Sequence, residues 1–289
     1  MKEEVNNLWI LTEERLKIDV LKKILNIYIR DKKLSDTDIA NIIIKPLIEK
    51  NIFKNQYKIE NFKIPYIENI YSRIVSGSTS FVDHLLFVQK DKPKDYSLKT
   101  KNFKYFVEDT KTDTKESRNT AFGQRATKTI IANYFNKSPF KLIITSSIFK
   151  YDQLPESAIF DARCLMTTGV EIFMPNTIIE NKPFKDYSEL INKKNSMRKP
   201  PSSNVPFRIK EVSTGLEISK KIIKGKSLSD PSVGQILNVC FALRQLNYTK
   251  KIKITSHGLN QKRFDKMQDN KLLLGCKLLK LDIDGITLS

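Results

Sequence analysis

Tyr105-Phe106-Val107-Glu108-Asp109-Thr110-Lys111 is the stretch on which the reading of this chain turns, together with Ser80-Phe81-Val82-Asp83 some twenty residues earlier. Side chains on a strand alternate faces with period two. An extended 105–111 therefore sends Val107, Asp109 and Lys111 to one side and Phe106, Glu108 and Thr110 to the other. Asp109 and Lys111 project together, and Asp83 on a paired strand would meet them. Two carboxylates beside one ammonium suit metal-assisted phosphodiester hydrolysis. Hard oxygen ligands hold Mg²⁺, and the ammonium balances charge that develops on the phosphate. The competing reading is an edge-strand ion pair between Asp109 and Lys111. A bare acid-x-lysine triplet is a weak signal, and Asp113-Thr114-Lys115 is another close by.

The order of neighbouring elements adds weight. Residues 65–75 carry apolar side chains at 67, 70, 71, 74 and 75, which predicts a helix. A turn-forming cluster, Ser76-Gly77-Ser78-Thr79-Ser80, leads into an expected strand over 81–88 that carries Asp83. A second strand is expected over 103–111. Apolar positions at 122, 126, 130, 131, 134 and 135 predict a helix over 120–135. The apolar run Phe140-Lys141-Leu142-Ile143-Ile144-Thr145 reads as a buried strand. A helix over 155–166 and a strand over 169–174 follow.

Asp83, Asp109 and Lys111, with 25 residues between the acids, resemble the motif of the PD-(D/E)XK nuclease superfamily, which includes most type II restriction endonucleases. The resemblance covers residues 65–175. Val82 stands where that family often has proline. The resemblance implies an α/β fold with a restriction-endonuclease-like core, a mixed β-sheet flanked by helices. It implies Mg²⁺ held by Asp83, Asp109 and the Thr110 carbonyl, with Lys111 acting on the attacking water or the pentavalent phosphate. Glu108 is the competing acid to Asp109, and Glu68 on the preceding expected helix is a possible extra ligand.

Beyond Lys111 the chain is dense in hydrogen-bonding groups. Thr120, Gln124 and Lys128 are spaced to share one helix face, flanked by Arg118, Asn119 and Arg125. Arg suits guanine edges and phosphates, and Gln or Asn suits adenine, so these residues are candidates for contact with double-stranded DNA. The competing reading is the solvated side of an amphipathic helix.

The net charge of +19, from 51 Lys+Arg against 32 Asp+Glu, points the same way. Residues 190–289 hold 20 basic against 7 acidic side chains, and residues 1–189 hold 31 against 25. The binding surface is thus expected towards the C-terminal end. The division expected is an N-terminal helical segment (1–64), a nuclease core (65–190) and a basic C-terminal recognition region (191–289). Within the first, helices are expected over 11–29 and from the cap-like Ser35-Asp36-Thr37-Asp38 towards Pro46. They read as a helical cap or a helix-turn-helix. Residues 176–210, rich in charge, Pro and Ser, read as a linker. A helix opens at Asp230-Pro231, a strand follows over 251–259, and the loop holding His257 is a candidate DNA contact.

No apolar run is long enough to span a membrane, no signal peptide is evident at the N-terminus, and no phosphate-binding glycine loop for a nucleotide cofactor is present. Cys164, Cys240 and Cys276 lack paired spacing and read as buried thiols. A cytoplasmic, prokaryotic protein is expected, a homodimer if its DNA site is palindromic. The open alternatives are a repair, recombination or mobile-element nuclease of the same fold, and a non-catalytic DNA-binding protein.

Overall fold

A computed structural model describes residues 6–34, 41–50, 52–75, 82–93, 103–110, 122–136, 140–145, 154–173, 182–197, 207–219, 230–255 and 267–283. Two compact units emerge: Met1–Asp109 with Phe135–Ile144, and Thr110–Tyr134 with Thr145–Ser289. Both are mixed α/β.

The first unit is built on strands β1 (Asn6–Thr12), β2 (Ile43–Glu49), β3 (Ile52–Glu60), β4 (Ile67–Ile74), β5 (His84–Gln89), β6 (Tyr105–Thr110) and β7 (Phe140–Thr145), in the spatial order β2-β3-β4-β1-β5-β6-β7. Strand β1 is central, parallel to β4 on one side and antiparallel to β5 on the other. Its run Leu8-Trp9-Ile10-Leu11 is buried on both faces, which is why it is apolar without alternation. Helix α1 (Ile18–Asp31) follows β1 and buries the stripe Val20, Leu21, Ile24, Leu25, Ile27, Tyr28 and Ile29. Tyr28 packs on Tyr105 at the start of β6, with ring centroids 5.2 Å apart. The Tyr105 hydroxyl donates to Asp31 Oδ2 at 2.6 Å.

Several expectations are corrected here. Of the N-terminal segment 1–64, expected to be helical, the described part is helical over 18–31 and strand over 6–12, 43–49 and 52–60. The cap-like residues 35–38 lie outside the described residues. Pro46 does not end a helix but sits in β2, the outer strand, where a missing ladder donor is tolerated. Residues 65–75 are not a helix but contain β4, sandwiched between β1 and β3. Pairing partners on both sides override a helical spacing of five apolar residues.

The second unit contains a 3₁₀ turn (Gly123–Arg125) leading into α2 (Ala126–Phe135), then α3 (Glu156–Thr167), β8 (Val170–Phe173), α4 (Tyr187–Ser196), β9 (Arg208–Val212), β10 (Gly215–Ser219), α5 (Asp230–Gln245), β11 (Lys251–Thr255), α6 (Met267–Leu279) and β12 (Asp282–Ile283). Strands β12-β11-β10-β9 form a second sheet. β9 and β10 are an antiparallel hairpin, and the other two pairs are parallel. The parallel pairs need crossovers, which α5 and α6 supply. The core includes Phe160, Ile236, Leu237, Phe241 and Leu272. Cys164, Cys240 and Cys276 are buried free thiols, as expected. The expected linker 176–210 contains α4, whose Asp186 side chain caps it by accepting from the Glu189 N–H at 2.8 Å. Among the described residues no helix is long and apolar enough to cross a membrane.

Candidate active site

The β5–β6 pair brings the two acids together. Its antiparallel register sets His84 against Val107, Leu85 against Phe106 and Leu86 against Tyr105. Asp83 does not lie inside β5, as expected, but at the bend just before it. There its carboxylate turns back onto β6: the Asp109 N–H donates to Asp83 Oδ2 at 2.7 Å. The Asp83 N–H in turn approaches Glu108 Oε1 at 3.4 Å. On the other side, the Glu13 N–H donates to the Asp83 carbonyl at 3.3 Å. Asp83 is thus held between the end of β1 and the end of β6.

The two neighbouring acids of β6 separate as strand parity requires. Glu108 is 1% exposed, on a buried face. Asp109 is half-buried, and its Oδ1 has no hydrogen-bond partner among the described residues. Burial pushes the Asp109 carboxyl above its ordinary range. Lys23 opposes that shift, Asp83 and Asp19 reinforce it, and Lys17 opposes it. His84, beside Asp83, is buried, and desolvation pushes it down to about 4 against the pull of the Asp83 charge. It is a neutral imidazole at neutral pH.

Glu68 stands apart from this site. Along the sheet, Ile74 of β4 is level with Thr12 of β1, and Thr12 with His84 of β5. Glu68 is six residues from Ile74, at the end of β4 where Asn6 pairs with Ile67 and Asn7 with Gln89. At about 3.3 Å per residue that is roughly 20 Å from the Asp83 end. It is exposed on a strand, and the register removes it from the ligand set.

Of the residues proposed for DNA, Gln124 and Arg125 lie in the 3₁₀ turn and Lys128 in α2. Arg125 is engaged within its own unit, donating through Nη2 to Thr110 Oγ1 at 2.9 Å and through Nη1 to Gln124 Oε1 at 3.3 Å. Lys111, Arg118, Asn119 and His257 lie outside the described residues.

The sequence reading missed α1 as a source of charge at this site. Lys17, Asp19 and Lys23 all act on Asp109. The signal was the Asp19/Lys23 pair, spaced i, i+4 on the polar side of an amphipathic helix.

Two carboxylates, one with an oxygen that takes no hydrogen bond among the described residues, are a donor set that fits a hard divalent cation. Among the described residues no three His, Cys, Asp or Glu side chains gather as ligands. A cation here would complete its shell with water or substrate oxygens, as Mg²⁺ commonly does. No protein-family model, curated protein or solved structure matches this chain.

Proposed function

We propose that this protein is a Mg²⁺-dependent nuclease that hydrolyses phosphodiester bonds in double-stranded DNA and leaves 5′-phosphate ends. The observation that carries this reading is the hydrogen bond from the Asp109 N–H to Asp83 Oδ2, beside an Asp109 oxygen without a partner among the described residues. The antiparallel pair bearing the acids is followed along the chain by helix, strand, helix and strand. The resemblance to the PD-(D/E)XK superfamily implies that order after the pair, and a helix before it where this chain has β4.

On this reading Asp83 and Asp109 would hold Mg²⁺, which would polarise the phosphate and activate water. The Asp109 amide fixes the Asp83 carboxylate in place. Neutral His84 adds no charge to the site. Lys111 orients the attacking water or balances charge on the phosphate. The finer proposal is a type II restriction enzyme working as a two-fold homodimer on a palindromic site. The chain's charge of +19 supports a polyanionic substrate.

The test is incubation of the purified protein with mixed plasmid and phage DNA, with Mg²⁺ or with EDTA, beside Asp83→Ala and Lys111→Ala. Discrete bands that need Mg²⁺ and vanish in both variants support the proposal. Binding without cutting, or variants that cut as well as the wild type, would sink it.

A further inference from the structure

We infer that Lys23 of α1 is a DNA-phosphate contact of the same site, an inference that rests on the nuclease reading. Two independent anchors set α1 beside the carboxylates. At its C-terminal end, Tyr28 and Asp31 contact Tyr105, the first residue of β6. Before its N-terminal end, the Glu13 N–H donates to the Asp83 carbonyl. The helix therefore runs antiparallel to β6. From Tyr105 to Asp109 the strand advances about 13 Å. From Tyr28 back to Lys23 the helix covers about 7.5 Å, and back to Asp19 about 13.5 Å. Asp19 draws level with Asp109 and Lys23 stands about one helical turn nearer Tyr105, and both act on that carboxylate.

Lys23 is suited to a substrate role by its setting. It borders the buried stripe, next to Val20 and Ile27 on the helix surface, and is itself half-buried. Such a lysine lays its stem on apolar surface and carries its ammonium outwards. Among the described residues no carboxylate lies within ion-pair distance of that ammonium. A lysine beside two acids and in no ion pair among the described residues has two natural counter-charges, the acids themselves or an anion that binds beside them. A phosphate bound at Asp83 and Asp109 would lie beside Lys23. Its neighbours on the helix set the sign locally, with Lys17 adding positive charge and Asp19 subtracting it.

The experiment uses the full chain and a short fluorescein-labelled duplex in EDTA, with affinity read by anisotropy over a series of NaCl concentrations. Each phosphate contact contributes about one to the slope of log affinity against log salt. Lys23→Gln is expected to make that slope shallower by about one, and Lys23→Arg, which keeps the charge, to restore it. With Mg²⁺, Lys23→Gln is expected to raise KM more than it lowers kcat. An unchanged slope in Lys23→Gln, with cleavage intact, overturns the assignment of Lys23 and leaves the nuclease reading standing. A wild type that cuts no DNA overturns the nuclease reading, and the slope still decides whether Lys23 touches DNA.

Discussion

Asp109 in the first unit, half-buried, and Asp161 in the second, fully buried, are carboxylates treated in opposite ways. Asp161, 3% exposed in the middle of α3, accepts from Gln235 Nε2 at 3.0 Å, while its backbone carbonyl accepts from Asn238 Nδ2 at 2.8 Å. Glycines let backbone close in around it: a Cβ on Gly123 would stand 3.0 Å from Asp161 Oδ2. Lys194 lies within its field, over the rings of Phe160 and Phe207 at 5.0 and 4.8 Å. Asp109 has the charges of Lys23, Asp83, Asp19 and Lys17 acting on it and an oxygen without a partner among the described residues. Buried polar groups are normally satisfied, and the Asp109 oxygen is an acceptor left open for a ligand among the described residues. Asp161 holds helices together, whereas Asp109 is held ready by the strands around it.

The largest effect expected from this contrast is on cleavage. Asp83→Ala or Asp109→Ala should lower Mg²⁺-dependent cleavage about 10³-fold or more, since charge stabilisation at such a site is worth several kcal/mol. Asp161→Asn should leave the specific rate within a few-fold of wild type once folded protein is matched. Plasmid cleavage rates decide the matter, and equal losses at Asp109 and Asp161 would erase the distinction.

Next in size is the packing around Asp161. A Cβ on Gly234 would lie 2.4 Å from the Gly123 carbonyl oxygen and 2.8 Å from Gln124 Cα, both backbone atoms that cannot swing aside. Gly234→Ala should destabilise by about 1–3 kcal/mol, the range for overpacking a filled interior. Urea unfolding followed by circular dichroism reads this. An unshifted midpoint would mean that α5 and the 3₁₀ turn are looser than drawn. Gln235→Ala, which removes one donor to a buried carboxylate, should cost about 1.5–3 kcal/mol by the same measurement.

The sequence was most legible where the signal is local. The pair 84–89 and 105–110, the helices at 126–135 and 156–167 and the strands at 140–145 and 170–173 all lie within a few residues of where periodicity and turn chemistry put them. Asp83 reaches Asp109 through the Asp109 backbone N–H and from a bend, while the register sets Asp83 opposite Glu108, so strand parity did not foresee the contact. What failed was set by partners distant in sequence. Residues 67–74 have helical spacing, yet Tyr71 stacks on Trp9 at 4.6 Å and Ile70 and Ser72 are buried between β1 and β3. Nothing within 65–75 announces those neighbours. Helix α4 was different, since Asp186-Tyr187-Ser188-Glu189 is a capping signal that composition-based reading of a charged stretch passed over. Lys23 was legible as part of a polar helix face, but its nearness to Asp109 required the antiparallel placement of α1 on β6.

The smallest effect is the one that separates the two carboxylates most directly, because it changes sign between them. In the folded protein the Asp109 carboxyl sits above its ordinary value of 3.8. The native state therefore holds its proton more tightly than the unfolded chain does. Unfolding releases protons in the window between the ordinary and the raised value, so stability falls as pH rises through that window. Above it the full cost of keeping Asp109 ionised is present, and below 3.8 it is gone. Asp109→Asn removes that cost and should raise stability near neutral pH by about 0.5–2 kcal/mol, while abolishing the proposed activity. The gain should shrink on acidification into the window. Asp161→Asn keeps an oxygen to accept from Gln235 but weakens a charge-assisted bond, so it should leave stability equal or lower. Thermal midpoints of the two variants and the wild type, at neutral pH and in mild acid, test both halves. A destabilised Asp109→Asn at neutral pH would mean that its carboxylate is satisfied after all, and that it holds the fold together as Asp161 does.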